Sequence, residues 1–169
     1  MPANETSSRT PEQWRDLIQS WLQEEGWSIG IPAAPTPDMR WVLTGQDPGG
    51  RHVLIAQRID RSDQILINGG VTVSDEHRQR MAALGQDERD AFIWELHFTL
   101  LGTDVEFQLI GDPLERVMIA QRIYYDALTK DAFLQRVSDV RKGVILVIGM
   151  VRHQFRETPP RRELGFKTQ

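Results

Sequence analysis

Residues 39–73, MRWVLTGQDPGGRHVLIAQRIDRSDQILINGGVTV, decide the fold. Three strand-like runs lie within them, Met39 to Gly45, His52 to Ile59 and Gln64 to Val73, with the branched and aromatic side chains that suit a pleated surface. Asp47-Pro48-Gly49-Gly50 separates the first pair and Asp60-Arg61-Ser62-Asp63 the second, and both are rich in turn formers. Connections this short join antiparallel neighbours, because a parallel pair needs a crossover of a dozen or more residues. The stretch therefore predicts an antiparallel meander.

On its N-terminal side, Thr10-Pro11-Glu12-Gln13 reads as a capping box with proline in the first helical position. Trp14, Leu17, Ile18, Trp21 and Leu22 recur at helical spacing, and Gly26 ends the segment. Trp27 to Ile31 allows a short strand, after which Pro32, Pro35 and Pro37 impose an irregular loop. On the C-terminal side, Ser74 with Asp75 and Glu76 starts a helix that is interrupted near Gly85 and restarts around Asp87. The restarted segment, 88 to 101, is apolar on most of its circumference. Phe92, Ile93, Leu96 and Leu100 lie on one side and Trp94, Phe98 and Leu101 on the other, which predicts a helix buried between elements. Trp94 is accordingly expected in the core with Trp14 and Trp21.

Val105, Phe107 and Leu109 then alternate with polar residues in a strand with one wet face, and Gly111-Asp112-Pro113 turns the chain into a further strand, Arg116 to Tyr124. Thr129 caps a long helix, about 130 to 155, with Phe133, Val137, Val140, Val144, Ile148, Val151 and Phe155 on one face. The β-branched run Val144 to Ile148 is read as helix because the period continues on both sides, although Gly143 and Gly149 weaken it by about 1 kcal/mol each. The result is an α+β domain over residues 10–155, ordered α-β-β-β-α-β-β-α, with an antiparallel sheet of about five strands packed against helices. Residues 1–9 read as a disordered tail and 156–169 as a flexible basic one.

Val53-Leu54-Ile55-Ala56-Gln57-Arg58-Ile59 recurs as Val117-Met118-Ile119-Ala120-Gln121-Arg122-Ile123. Two strands with the same inward and outward pattern account for this, and a pseudo-repeat is the other reading. Either way Arg58 and Arg122 point away from the face that holds Val53, Ile55, Val117 and Ile119.

The 169 residues suffice for one core. Cysteine is absent, which excludes disulfides, zinc-thiolate sites and thiol nucleophiles. The start, MPANETSSRTPEQ, has neither a basic head nor an apolar run, and Val144 to Val151 is too short to span a bilayer, so a soluble cytoplasmic protein without membrane insertion is expected. Of the net charge of −4, the last eighteen residues carry +3 and the body −7. An acidic body argues against nucleic acid, whose affinity comes from clustered Lys and Arg.

No catalytic or cofactor motif stands out. His52, His77, His97 and His153 share no metal-binding spacing, so no metal is expected, and His97 reads as a core histidine. Gly49-Gly50 and Gly69-Gly70 open no helix as phosphate loops do, and read as turns or bulges. Asp60, Asp63, Asp75 and Glu76 sit where they serve turns and a helix start. Leu146 and Met150 are the misfits, since they lie about 100° or more from the inward face of the last helix, where a solvated helix carries charge. A second surface must cover them: another part of the chain, a second copy or a partner.

The order helix, three strands, helix, two strands, helix, with Ile123-Tyr124-Tyr125-Asp126, Leu128-Thr129 and the long final helix, resembles the type III secretion chaperone-like fold shared with YbjN-like bacterial proteins. The resemblance covers most of residues 10–155. It implies a non-enzymatic, homodimeric domain that holds part of another protein on apolar patches, and it transfers no residue-level site. The expectation is thus a chaperone-like adaptor, of bacterial type, that binds a protein partner or itself through its sheet or last helix, with Leu146, Met150, Arg58 and Arg122 as candidate contacts and no cofactor. The alternative is a ligand-binding or enzymatic domain with a polar pocket at Gln57, Arg58, Gln121 and Arg122.

Overall fold

Pro11–Glu24 forms the first helix, α1, because the Thr10 hydroxyl accepts from the Gln13 amide while the Gln13 side chain accepts from the Thr10 amide. It buries Trp14, Ile18 and Leu22, and the chain leaves through Gly26, whose φ of 78° is the left-handed conformation a helix exit needs. The computed structural model describes residues 9–32 and 36–155, so the tails expected at 1–9 and 156–169 lie outside the described residues, except for Arg9.

The strands follow as β1 (Ser28–Gly30), β2 (Met39–Gln46), β3 (His52–Arg58), β4 (Gln64–Thr72), β5 (Glu106–Ile110) and β6 (Arg116–Tyr124). They build one sheet in the order β1-β2-β3-β4-β6-β5, antiparallel throughout. The α+β architecture and the meander stand as the sequence predicts. The sheet has six strands rather than five, because Ser28–Gly30 pairs with Thr44–Gln46 at its edge. The helix after the meander is two, α2 (Asp75–Ala83) and α3 (Gln86–Leu101), parted at Gly85.

The last helix, α4 (Lys130–Phe155), is capped by the Thr129 hydroxyl, which accepts from the Ala132 amide at 3.1 Å. It lies across β4 and β6, and burial of Phe133, Val137, Val140, Val144, Val147, Val151 and Phe155 fills the space between. Val147 takes the fully buried place predicted for Ile148, which is half-buried.

The seat of α4 explains a second difference. Gly69 lies inside β4, not in a turn or bulge, and faces α4 so closely that a Cβ there would stand 2.7 Å from Val144 Cγ2 and 2.9 Å from Val140 Cγ1. Gly143 meets Ile119 in the same way from the helix side, at 3.1 Å. The glycines are absent side chains that let helix and sheet close up. Helices therefore cover one face of the sheet. The other face, with Val42, Leu54, Leu66 and Met118 half-buried, has no helix on it among the described residues.

The recurring heptapeptides are β3 and β6, which flank β4 on either side. Ala56 pairs with Leu66 and Ala120 with Asn68, so the two copies meet β4 two residues out of step.

Candidate functional site

Gln57 and Gln121 turn inward and are buried, whereas Arg58 and Arg122 turn outward and are exposed, as strand alternation requires. Gln57 Oε1 accepts from Trp41 Nε1 at 2.9 Å and from the Tyr125 hydroxyl at 2.8 Å, and its Nε2 donates to the Ser62 carbonyl at 3.3 Å. Tyr125 stacks on Trp14 at 4.8 Å, and burial pushes its hydroxyl pKa up to about 12. A phenol so hard to ionise serves as a fixed donor. Gln121 donates to the Asp104 carbonyl and ties β6 to the loop before β5. On the open face Arg58 pairs with Asp60 at 2.8 Å and Arg122 with Glu106 at 2.5 Å. Glutamines and arginines thus serve opposite sides of one sheet, and no single pocket can use all four.

Asp47 is the one buried carboxylate among the described residues. Burial pushes its pKa up, but hydrogen bonds from the Arg51 amide and guanidinium outweigh that and hold it below the usual carboxylate range. Arg141 of α4 reaches the same carboxylate at 3.4 Å, so the group ties the β2–β3 turn to the last helix. Among the described residues, no cluster of three His, Asp or Glu side chains could hold a metal.

The surface that stands apart is on α3. Asp87 and Glu88 in its first turn favour the helix, and Gly102 follows its last residue. Phe92, Leu96 and Leu100 are buried, yet Trp94, Phe98 and Leu101 are 58%, 62% and 58% exposed. This overturns the expectation of a helix buried all round: α3 lies at the margin of the helix layer, and only one of its sides meets α4 and the sheet. The spacing i, i+4, i+7 aligns the three side chains in one stripe about 10 Å long at 1.5 Å per residue. Trp94 and Phe98 stack at 5.5 Å with 23° between their planes. His97 is half-buried beside them rather than in the core where the sequence places it, its ring edge-on to Phe107 of β5 at 5.2 Å. The sequence held one overlooked signal. Asp87 and Asp90 fall on the same side of the helix as Trp94, which marks that side as facing solvent.

Leu146 and Met150 are half-buried and pack against the core, and Leu146 borders a cavity of about 300 Å³ with Thr103, Asp104 and Val105. Part of their cover thus comes from this chain. On α4 the exposed large apolar side chain is Ile145.

The chain belongs to the family described as uncharacterized conserved protein (DUF2299), which matches residues 14–151. The match runs from α1 to the last turns of α4, so this family is defined by the whole fold. A crystal structure of an uncharacterized protein from Methanothermobacter thermautotrophicus is similar, with a TM-score of 0.77 and 29% identity over 83% of this chain and 98% of that one. That of YbjN, a proposed transcription regulator from E. coli, has a TM-score of 0.51 and 16% identity over 82% and 92%. The second likeness shows the fold alone, and it is the YbjN-like fold that the element order suggests. The first relative comes from an archaeon, so the fold does not carry the bacterial origin that the resemblance implies. No curated protein matches the chain. Among the described residues no helix is long and apolar enough to cross a membrane.

Proposed function

We propose that this protein is a non-enzymatic adaptor that binds another protein through the outer stripe of α3. The observation that carries the reading is the exposure of three large apolar side chains in one line, two of them stacked. Scattered apolar side chains on a surface are ordinary, but a contiguous aromatic patch is what interfaces bury. Trp and Phe contribute large contact area with few rotatable bonds, and this pair is already held in place. An apolar helical stripe of this kind fits a groove or a second helix on a partner.

Gln57 and Gln121 stand on the opposite sheet face from Arg58 and Arg122, which favours the protein-binding reading over a ligand pocket shared by these four. The chaperone-like reading, with a homodimer and a cytoplasmic setting, enters here as part of the same proposal. A second copy would use the same stripe. Arg58 and Arg122 lie on the open sheet face, so any contact through them is separate from this one, whereas Leu146 borders Thr103, Asp104 and Val105 just past the end of α3.

The test is capture of partners from the native cell by the full chain, by Trp94→Ser/Phe98→Ser, and by Leu54→Ser/Leu66→Ser on the open sheet face. A partner held by wild type and by the sheet variant and lost by the α3 variant supports the proposal. A partner retained by the α3 variant sinks it. Light scattering on the same proteins reads self-association, and a monomeric mass at high concentration removes the homodimer.

A further inference from the structure

We propose that the cleft between the end of β4, α2 and the C-terminal half of α4 is a binding site for a small organic carboxylate with a compact apolar body. The site is separate from the outer stripe of α3, no residue of which lines it.

The cleft has two lobes that share His77 and Arg152. One, of about 350 Å³, sets the apolar side chains of Val73, Ile148 and Val151 against the polar groups of Ser74, His77 and Arg152. The other, of about 480 Å³, runs along His77, Gly149, Arg152 and His153. Both volumes fall within the range of about 300–1,000 Å³ usual for small-molecule sites. Val73 and Val151 are buried, so the apolar wall is continuous with the core and fixed by it. Gly149 reads from the sequence only as a weak point of the helix. A Cβ on it would meet nothing within 4 Å, and the missing side chain widens the second lobe.

The polar groups converge from elements far apart in the chain, and none of them is an acid. Among the described residues neither lobe is lined by a carboxylate, in a chain whose net charge is −4. The carboxylates of the neighbourhood are engaged elsewhere: Asp75 and Glu115 pair with Arg78 at 3.6 and 2.8 Å, and Glu76 with Arg80 at 2.7 Å. Arg152 joins no ion pair among the described residues, so its exposed guanidinium is the cation left to the cleft. Ser74 Oγ accepts from the His77 amide at 3.3 Å and lies 3.0 Å from His77 Nδ1. With the Ser74 proton given to Nδ1, the neutral imidazole carries its own proton on Nε2, a donor suited to an anion. A guanidinium fork and a ring N–H match the two oxygens of one carboxylate. One permanent cation balances one carboxylate charge, whereas a phosphate monoester carries nearly two. The wall of Val73, Ile148 and Val151 then takes the apolar body.

Titration of the full chain with sodium hexanoate, followed by NMR of the Ile148 methyl and histidine ring signals, tests the site. Hexanoate should shift Ile148 and His77 saturably, and hexanol should bind about tenfold more weakly for want of the charge. Affinity should rise about threefold per methylene from butanoate to hexanoate as the body covers the apolar wall. Arg152→Gln should weaken hexanoate about tenfold. Gly149→Leu should weaken it with the charge intact, by filling the open space beside Arg152. Both residues are exposed on α4, so neither change disturbs the core. Arg116→Gln removes an exposed cation that lines neither lobe and should change nothing. The proposal is overturned by the absence of a saturable shift at Ile148 and His77, by hexanol binding as tightly as hexanoate, or by unchanged affinity in Arg152→Gln or Gly149→Leu. Hexyl phosphate binding more tightly than hexanoate overturns the assignment to a carboxylate.

Discussion

Helices α3 and α4 both carry apolar residues around much of their circumference, yet the structure treats them differently. α4 lies across the middle of the sheet, seated by the missing side chains of Gly69 and Gly143, and its inward side chains from Phe133 to Phe155 are buried. α3 lies at the edge of the same layer, near β5, the last strand of the sheet, and keeps only one side covered. The comparison teaches that an apolar circumference does not by itself place a helix inside. Its position in the layer determines how many sides meet protein, and an uncovered side is surface available to a partner.

The contrast breaks most sharply at the start of α4. Phe133 is fully buried against Trp21, and Phe133→Ala should cost about 3–5 kcal/mol through lost burial and the cavity left behind, read by denaturant unfolding. Gly69→Ala should follow at about 1–3 kcal/mol, because the new methyl meets Val140 and Val144 and α4 must shift. An effect near zero there would mean that α4 is not held as closely as described.

The tie at Asp47 should show as acid sensitivity. Its pKa is lower in the folded protein than the unfolded value of about 3.9, so its contribution is full above that pH and is lost as pH falls through the folded value. Melting temperature measured across the acid range should fall for wild type, and Asp47→Asn should be less stable near neutrality and flatter in acid.

The smallest effect on stability belongs to the outer stripe of α3. Trp94→Ser/Phe98→Ser should change the unfolding free energy by about 0.5 kcal/mol or less while removing partner capture. Unfolding of that variant would show that α3 is held by its outer side after all, and would erase the contrast with α4.

Most of the fold was legible because its signals are local. Thr10, Ser74 and Thr129 cap the helices that they precede, the two turn tetrapeptides separate β2, β3 and β4, and the strand Arg116 to Tyr124 falls where its alternation places it. The alternation also sent Arg58 and Arg122 to the opposite side from Gln57 and Gln121. Gly69 was misread because a glycine in a strand looks the same whether it serves a bulge or a close helix, and only the height of α4 above the sheet distinguishes them. Trp94 was placed in the core for a related reason: a helical period gives the angle at which a side chain leaves the axis, and not what stands at that angle.

By itself, then, the sequence determined the order of elements, their caps and turns, and which residues share a face, since these follow from backbone geometry and side chains a few positions apart. The tertiary structure decided which faces are covered. That depends on where each helix comes to rest on the sheet, a matter of contacts between residues far apart in the chain, and it is what leaves Trp94, Phe98 and Leu101 at the surface while Val140, Val144 and Val147 are enclosed.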